Sequence, residues 1–287
     1  MLPLFLVDMI NFNGTLVDPL QNQLHNNRAF LFGDAVFETL KVVDNRILFF
    51  EDHYFRLMSS MRILRMEIPM TFTMEFLEEQ IFLAVNSLEK ALSYRVRFTV
   101  YRDSEGLYLP TSQNTGYLIT ANPLENALYT ISPENYEVDL YKDFYISKQL
   151  LSSVKSTNRA LNITASIYAQ ENDLQNCILL NDAKNVAEAI NGNIFMLTGN
   201  TLTTPLVSEG CIGGILRKQI LEIAKKIEGI QVIEQAISPF DLQKADELFI
   251  TNIITGIQPI TKYRKKEFSS ELAQQLLTRL NAVIRLG

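Results

Sequence analysis

The chain has 287 residues and 47% of them are hydrophobic, which is enough for one large or two modest domains with a sizeable core. Its 26 basic and 32 acidic side chains give a net charge of −6, which argues against nucleic acid or an anionic membrane surface as the main partner. Two cysteines, Cys177 and Cys211, cannot form a disulfide framework and fit a reducing cytoplasm. The two histidines show no metal-ligand spacing, so no metal site is expected.

The first part of the chain predicts strands and helices in a small domain. The apolar start at residues 1–7 lacks a basic leader and is interrupted by Asp8, so it indicates a first strand and not a signal peptide. No apolar stretch approaches the length of a membrane span. Turn signals and periodicity predict hairpins over 2–18 and 35–49, helices over 51–64 and 73–92, and strands over 94–101 and 117–121.

The second part of the chain predicts a larger domain in which strands and helices alternate. Pro and Asn residues indicate a linker over 122–128, between domains at 1–121 and 129–287. Beyond it we expect strands near 145–146 and over 177–181, 193–197 and 246–251, and helices over 158–171, 213–226 and 268–285. The sequence therefore predicts a two-domain α/β (α+β) protein, with a functional site expected between the domains.

One lysine stands out from the chain's 13 because of its surroundings. Lys155 lies in Val154-Lys155-Ser156-Thr157-Asn158-Arg159 and follows the neutral, partly apolar segment 150–154. An amine in apolar surroundings is a better nucleophile and base, because burial disfavours its charged form. Most lysines are solvated surface charges, so this context alone is weak evidence for a catalytic role.

A carboxylate and a glycine-rich turn follow this lysine along the chain. Glu188 comes shortly before Asn193-Ile194-Phe195, and Gly210-Cys211-Ile212-Gly213-Gly214 opens the helix predicted over 213–226. A lysine that forms an imine, a carboxylate for a pyridinium nitrogen and a helix start for a phosphate are the groups that pyridoxal phosphate requires. The order of these segments predicts that cofactor.

The same order resembles the class IV aminotransferases, which are the fold-type IV pyridoxal phosphate enzymes. Phe32-Gly33-Asp34-Ala35-Val36-Phe37-Glu38-Thr39 is similar to the Gly-Asp-x-x-Phe-Glu motif of that family's small domain. The resemblance covers about residues 26 to 260, and it implies a cytoplasmic homodimer with a small-molecule substrate. The family contains branched-chain and D-amino-acid aminotransferases and 4-amino-4-deoxychorismate lyases.

The resemblance also implies a role for individual residues. Lys155 would carry the cofactor as an imine and shuttle protons, Glu188 would face the ring nitrogen, and Arg56, three residues after His53, would clamp the phosphate. The full set implied for the cofactor is Arg56, Lys155, Glu188, Ile215, Leu216, Asn252 and Ile253, and the set implied for the substrate is Arg102, Arg159 and Asn252. Arg28, Glu38 and His53 are expected to be structural.

Three details of the resemblance favour the lyase. Lys155 begins a Lys-x-x-Asn-Arg pattern, Phe249-Ile250-Thr251-Asn252-Ile253 places an Asn after a strand, and Val100-Tyr101-Arg102 lacks a Tyr-x-Arg-Pro run. The expected activity is therefore 4-amino-4-deoxychorismate lyase, which releases pyruvate and 4-aminobenzoate for folate synthesis. The alternative is a branched-chain or D-amino-acid aminotransferase.

One detail counts against the lyase. Segment 102–108 lacks the second arginine that many lyases and D-amino-acid enzymes use to hold a carboxylate. Another cation would then be needed, and the sequence leaves Arg97, Arg102 and Arg159 open. It also leaves open the exact substrate and its stereochemistry.

Overall fold

The computed structural model describes residues 9–17 and 27–286, which group into two compact units. The first unit comprises the described residues up to Ala127 together with Val154–Asn158. The second unit comprises Leu128–Ser153 and the residues from Arg159 onwards. Residues 2–8 and 18 of the first predicted hairpin lie outside the described ranges, and the predicted domain bounds stay a prediction.

The first unit is built on a six-stranded antiparallel sheet with the strand order β2-β1-β6-β5-β3-β4. Its strands are β1 Ile10–Phe12, β2 Thr15–Val17, β3 Ala35–Val43, β4 Arg46–Ile47, β5 Ser93–Arg102 and β6 Thr115–Leu124. The long strand β6 continues into the predicted linker, because Asn122 pairs with Arg95 and Pro123 with Tyr94. The chain therefore leaves the sheet only after Leu124.

Helices α2 Phe50–Ile63 and α3 Met74–Val85 cover one face of this sheet, and the short helix α1 Arg28–Phe32 precedes β3. Side chains alternate along a strand, so Val96, Phe98 and Val100 of β5 enter a core with Leu57 of α2 and Leu77 of α3. Helix α3 ends at Val85, earlier than the predicted residue 92, and Leu88 closes a turn by donating its N–H to the Val85 carbonyl. The residues facing away from this core form the other face of the sheet.

The second unit contains two five-stranded sheets, with the orders β12-β11-β10-β13-β14 and β16-β15-β7-β8-β9. The strands are β7 Glu137–Ile146, β8 Asn176–Asn181, β9 Val186–Ala189, β10 Asn193–Thr198, β11 Thr201–Thr204, β12 Gln231–Glu234, β13 Glu247–Asn252, β14 Gly256–Ile260, β15 Lys262–Tyr263 and β16 Lys266–Glu267. Both sheets contribute to one core, in which Leu140 and Ile178 belong to the same cluster as Ile194 and Leu248.

Helices of the second unit pack on the outside of these sheets. They are α4 Leu150–Ser153, α5 Ala160–Glu171, α6 Ile215–Ala224 and α7 Glu271–Leu286. Ala165 and Ala169 of α5 pack on Tyr141 and Leu179, which lie in β7 and β8. The predicted two-domain α/β (α+β) class is confirmed by this architecture. Among the helices of the described ranges, none is long and apolar enough to cross a membrane.

Candidate functional site

Lys155 lies in a short segment that pairs with the start of β3. The Lys155 carbonyl oxygen accepts a 2.8 Å hydrogen bond from the Phe37 N–H, and Ser156 bridges Val36 in antiparallel fashion. The Lys155 ammonium nitrogen lies 4.6 Å from the centroid of the Phe37 ring. The amine is therefore held over an aromatic face by a segment that is anchored to the sheet.

Arg56 is joined to a buried carboxylate and a buried histidine in the first unit. Its Nε and Nη2 donate to the two oxygens of Glu38, and Nδ1 of His53 lies 2.8 Å from Glu38 Oε2. Burial alone would raise the pKa of Glu38, but the charge and hydrogen bonds of Arg56, together with the hydrogen bond from His53, outweigh it and lower the pKa to about 2. Glu38 is therefore an anion that fixes the Arg56 guanidinium.

His53 is a neutral member of this group. Burial lowers its pKa and outweighs the hydrogen bond and charge of Glu38, which raise it; the charges of Arg56 and Lys155 act in the same direction as burial. Because Glu38 is ionised and can only accept, His53 Nδ1 is the donor, and His53 Nε2 has no hydrogen-bond partner among the described residues. The structural role expected for Glu38 and His53 fits this arrangement.

Arg102, expected on the substrate side, is bonded to residues of its own unit, and its role toward a substrate stays a prediction. Its side chain is 6% exposed, and its Nε shares Asp34 Oδ2 with the Nε of Arg28. Its two terminal nitrogens donate to the Gln113 side chain and to the carbonyl oxygens of Leu64 and Arg65. Arg102 lies in β5, and Leu64 and Arg65 follow α2. These hydrogen bonds therefore hold β5 to the loop after α2, which is a structural role for Arg102.

Glu188 lies in β9 of the second unit and contacts the glycine-rich turn. Its carboxylate accepts a 2.9 Å hydrogen bond from the Ile212 N–H, and the side chain is nearly inaccessible to solvent. Burial, and then the Glu188 charge, raise the pKa of Cys211 to about 12, so this cysteine is a neutral thiol. Glu188 therefore combines a buried carboxylate with a backbone anchor.

Asn193 fixes the other side of the same turn. Its amide donates to the Ile212 carbonyl at 2.7 Å, so side chains hold Ile212 at both of its backbone groups. A Cβ on Gly214 would collide with the Asn193 amide oxygen, so only glycine fits there. Gly214 is also the N-cap of α6 and provides no side-chain cap for the first turn, which begins with Ile215 and Leu216. That helix start is a suitable anion site.

Thr251 is a functional candidate that the sequence does not single out. It pairs with Asn193 across the β10–β13 ladder, so it lies next to the residue that packs on Gly214. Its hydroxyl is buried and has no hydrogen-bond partner among the described residues. A buried hydroxyl without a partner is costly, which points to a ligand as its partner.

Asn252 and Ile253 follow Thr251 in a tight turn. The Asn252 side-chain oxygen accepts the N–H groups of Ile254 and Thr255, at 3.0 and 2.9 Å. The carbonyl of Ile253 accepts the Tyr129 hydroxyl. Asn252 thus shapes the backbone of this turn, while its contact with a cofactor or substrate stays a prediction.

Arg159 is the N-cap residue of α5. Its carbonyl oxygen accepts the Ile163 N–H at 2.9 Å, and its side chain, which is half-buried, forms no capping hydrogen bond. Its expected role toward a substrate stays a prediction. Among the described residues, no cluster of histidine, cysteine and carboxylate side chains could hold a metal ion.

The features of the two units fit the chemical parts of pyridoxal phosphate. The first unit holds a lysine amine for the aldehyde and an arginine for the phosphate. The second unit holds a buried carboxylate for the ring nitrogen, together with a helix start and the unpartnered Thr251 hydroxyl for an anion. Each of these groups has the chemistry that one part of that molecule requires.

Comparison with protein families supports this chemistry. The model of amino-transferase class IV matches residues 35–263. A Methanocaldococcus jannaschii protein named "Putative branched-chain-amino-acid aminotransferase" is 30% identical over 266 residues, which are 88% of this chain and 86% of that protein. A D-alanine aminotransferase of Bacillus licheniformis is 24% identical over 260 residues, with 87% and 86% of the two chains covered.

Solved structures share the fold over nearly the whole chain. The branched-chain aminotransferase of Thermoproteus uzoniensis, solved with norvaline, superposes with a TM-score of 0.86 at 22% identity over 96% of this chain and 94% of that one. The PLP form of the branched-chain amino acid aminotransferase of Thermobaculum terrenum superposes with a TM-score of 0.82 at 21% identity, over 96% of this chain and 94% of that one. A Legionella pneumophila protein described as "Putative 4-amino-4-deoxychorismate lyase" superposes with a TM-score of 0.80 at 21% identity, over 92% of this chain and 97% of that one. The expected cofactor agrees with the Thermobaculum structure, which contains it.

Proposed function

The chain belongs to the class IV aminotransferases, and on that premise we propose that it is a pyridoxal phosphate enzyme that transfers the amino group of an α-amino acid to a 2-oxo acid. The observation that carries this proposal is the placement of the Lys155 amine over the Phe37 ring by a segment bonded to β3. Support for transfer as the reaction comes from relatives that match most of the chain and carry the names "Putative branched-chain-amino-acid aminotransferase", "Probable branched-chain-amino-acid aminotransferase" and "D-alanine aminotransferase".

We propose that the cofactor is held through its phosphate and its ring nitrogen. Arg56, Thr251, and the N–H groups of Ile215 and Leu216 at the start of α6 would bind the phosphate. The backbone of the turn at Asn252 and Ile253 is expected beside it. Glu188 would pair with the ring nitrogen, and because the Ile212 N–H already fixes this carboxylate, little ordering is needed on binding.

Each chemical step is then assigned to a residue of this chain. The Lys155 amine would hold the cofactor through its aldehyde in the resting enzyme, and with the substrate bound it would take the proton from the substrate α-carbon. When bound, the cofactor supplies the electron sink for the electron pair left on that carbon. The negative charge of Glu188 would keep the ring nitrogen protonated and so maintain the sink. Lys155 would then return the proton at a neighbouring atom.

A lyase acting on 4-amino-4-deoxychorismate is the second candidate function. The Lys-x-x-Asn-Arg pattern at Lys155 and the Asn at position 252 favour it, and one structure of the same fold carries that description. Asn252 has a second explanation, however, because its side-chain oxygen accepts two backbone N–H groups of the following turn. We therefore place amino transfer first. The expected homodimer and cytoplasmic location stay predictions.

Two experiments test the proposal. Borohydride should reduce the imine in the purified holoenzyme and abolish its visible absorbance band. The reduced cofactor should then remain attached, as a label, to the peptide that contains Lys155. Lys41→Met is the matched control, because Lys41 is a buried lysine whose pKa burial lowers to about 8, so it is the chemical rival for the aldehyde. A label on Lys41, or a visible band that survives Lys155→Ala, would overturn the assignment.

The second experiment separates the two reactions. The wild-type enzyme is incubated with L- and D-amino acids plus 2-oxoglutarate, and separately with 4-amino-4-deoxychorismate without an acceptor. Formation of glutamate in the first assay supports amino transfer. Release of pyruvate in the second assay, with no glutamate in the first, would replace amino transfer by the lyase.

A further inference from the structure

Tyr129, the second residue of the second unit, connects the turn after β13 to helix α7. Its side chain is almost fully buried, and its hydroxyl donates a 2.5 Å hydrogen bond to the Ile253 carbonyl. Its backbone N–H and carbonyl both bond to the Asn281 side chain, at 3.1 and 2.9 Å, and Asn281 lies in α7. The tyrosine therefore has a fixed position from which its hydroxyl holds Ile253.

The ring of Tyr129 packs against the end of the same turn, which comprises residues 252–256 between β13 and β14. Gly256 has a φ of 78°, and a Cβ on it would lie 2.6 Å from Tyr129 Cγ. Gly256 pairs with Asn252 across the two strands, so the ring contacts the residue that closes the turn. Tyr129 thus touches the turn at two points, Ile253 through its hydroxyl and Gly256 through its ring.

The turn is also held from within, next to a hydroxyl that has no partner. The Asn252 side-chain oxygen accepts the N–H groups of Ile254 and Thr255, which sets the shape of the turn. Tyr129 adds an attachment to α7, outside the hairpin that β13 and β14 form. Thr251, immediately before the turn, has a buried hydroxyl without a partner among the described residues. The backbone beside that hydroxyl is therefore fixed on two sides.

We propose that Tyr129 is a positioning residue for the phosphate of the cofactor: its hydroxyl fixes the turn so that the Thr251 hydroxyl and the adjoining backbone are in place before binding. This inference rests on the proposed function, in which Thr251 and the turn bind or adjoin the phosphate. A site that is already ordered loses less conformational entropy when the ligand binds. Tyr129 acts through Ile253, and no contact with the cofactor is assigned to it.

The experiment compares two ligands that differ only in the phosphate. Pyridoxal phosphate and pyridoxal are each titrated into the full-length apoprotein, and the ratio of their dissociation constants measures what the phosphate contributes. Tyr129→Phe keeps the ring and removes the hydroxyl. It should lower the preference for pyridoxal phosphate by a factor of about 3 to 10, the loss of one hydrogen bond, with pyridoxal affinity unchanged. A role confined to folding would weaken both ligands alike and leave the preference as in wild type.

Tyr136→Phe is the matched control for the lost hydroxyl. The Tyr136 hydroxyl accepts a 3.0 Å hydrogen bond from the Asn176 side chain, and Asn176 begins β8, in the other sheet of the unit. This variant therefore loses a tyrosine hydrogen bond away from the turn, and it should keep the wild-type preference for pyridoxal phosphate.

Gly256→Ala perturbs the same contact from the side of the turn. The added Cβ collides with the Tyr129 ring, so this variant should also lower the preference for pyridoxal phosphate. Gly199→Ala is its control, because Gly199 has a positive φ of 56° and no neighbouring atom within 4 Å of a Cβ. Circular dichroism of each apoprotein is recorded first, so that only folded protein is titrated.

The outcomes separate this inference from the proposed function. A wild-type preference in folded Tyr129→Phe overturns the role of Tyr129, and a lowered preference in Thr251→Val in the same series then leaves the phosphate site of the proposed function intact. If Tyr129→Phe does not fold, Gly256→Ala decides by the same criterion. A wild-type protein that binds the two ligands equally, or that shows no visible band with either, contradicts the proposed function itself.

Discussion

Asn158 lies directly against Gly33, and its side-chain amide donates a 3.3 Å hydrogen bond to the Gly33 carbonyl. Gly33 has a φ of 64° and ends α1, and a Cβ at that position would overlap the Asn158 side chain. Two motifs far apart in the sequence, the one around Gly33 and the one around Lys155, therefore meet within the first unit. Asn158 is three residues from Lys155, so this contact adds to the bonds with β3 that hold the segment carrying the lysine.

Gly33→Ala should consequently destabilise the first unit and weaken attachment of the cofactor. The left-handed backbone alone costs a side chain about 1–2 kcal/mol, and relief of the collision breaks the Asn158 hydrogen bond to Gly33, which adds a further cost of about 1 kcal/mol. Gly199→Ala is the control, since Gly199 also has a positive φ of 56° but no neighbouring atom within 4 Å of a Cβ. Urea unfolding and the visible band provide the two measurements.

A double variant tests the cause. Removing the Asn158 side chain in Gly33→Ala/Asn158→Ala should cost no further stability, because its hydrogen bond to Gly33 is already lost, and the backbone cost should remain. If Gly33→Ala is no worse than Gly199→Ala, the packing of Asn158 on Gly33 does not help to hold the segment carrying Lys155.

Acid should destabilise the first unit through Glu38. The pKa of Glu38 is lowered in the folded protein from 4.5 to about 2, so the carboxylate contributes stability that is complete above about pH 4.5 and is lost as the pH falls toward 2. A shift of this size corresponds to roughly 3 kcal/mol. Denaturant unfolding between pH 6 and 2 measures the slope. Glu38→Gln should flatten it, whereas Glu222→Gln, which changes a fully exposed carboxylate paired with Lys225, should change it much less.

Periodicity predicts much of this fold, but it does not predict the contacts that define the site. Strands β3 and β5 and helix α2 bury one regular face each, so their alternation is visible in the sequence and their bounds agree to within a few residues. That Val154–Asn158 groups with the first unit depends on pairing with Val36, which is distant in the chain.

Individual side chains are harder still to assign from sequence. The motif around Arg102 does not show that Asp34 and Gln113 bind its guanidinium, because both contacts arise only in the fold. Thr251 has no local signal at all, because only the folded structure shows that its hydroxyl is buried without a partner among the described residues. Both cases depend on tertiary neighbours that no motif spacing encodes.

Replacement of Arg56 should lower cofactor affinity, whereas replacement of Glu188 should lower turnover. Arg56→Ala should mainly weaken retention of the cofactor, by about 1.5–3 kcal/mol for a charge-assisted phosphate contact. Glu38→Gln is the matched control. It removes the ion pair that holds Arg56, but the protein still has the Arg56 guanidinium. Equilibrium dialysis against free cofactor gives the affinities. Equal losses in the two variants would mean that Arg56 acts only through Glu38.

Glu188→Gln should keep most of the cofactor and lose turnover. The amide oxygen of glutamine can still accept the Ile212 N–H, so the glycine turn should stay in place. Without the negative charge the ring nitrogen is less protonated, and the electron sink is weaker. Single-turnover rates with an amino acid measure the effect. Wild-type rates in this variant would show that Glu188 does not pair with the ring nitrogen.

Thr251→Val should affect stability and cofactor affinity in opposite directions. The Thr251 hydroxyl is buried and lacks a partner among the described residues, so its removal should leave the apoprotein as stable as wild type or more stable. If the hydroxyl binds the phosphate, the same change should weaken cofactor affinity by about 1 kcal/mol. Thr204→Val is the control, since the buried Thr204 hydroxyl donates to the Ile194 carbonyl at 2.8 Å. That variant should lose apoprotein stability, by about 1 kcal/mol, at unchanged cofactor affinity. Thermal unfolding of the apoprotein and dialysis of the holoenzyme give the two quantities. Unchanged affinity in Thr251→Val would remove Thr251 from the phosphate site.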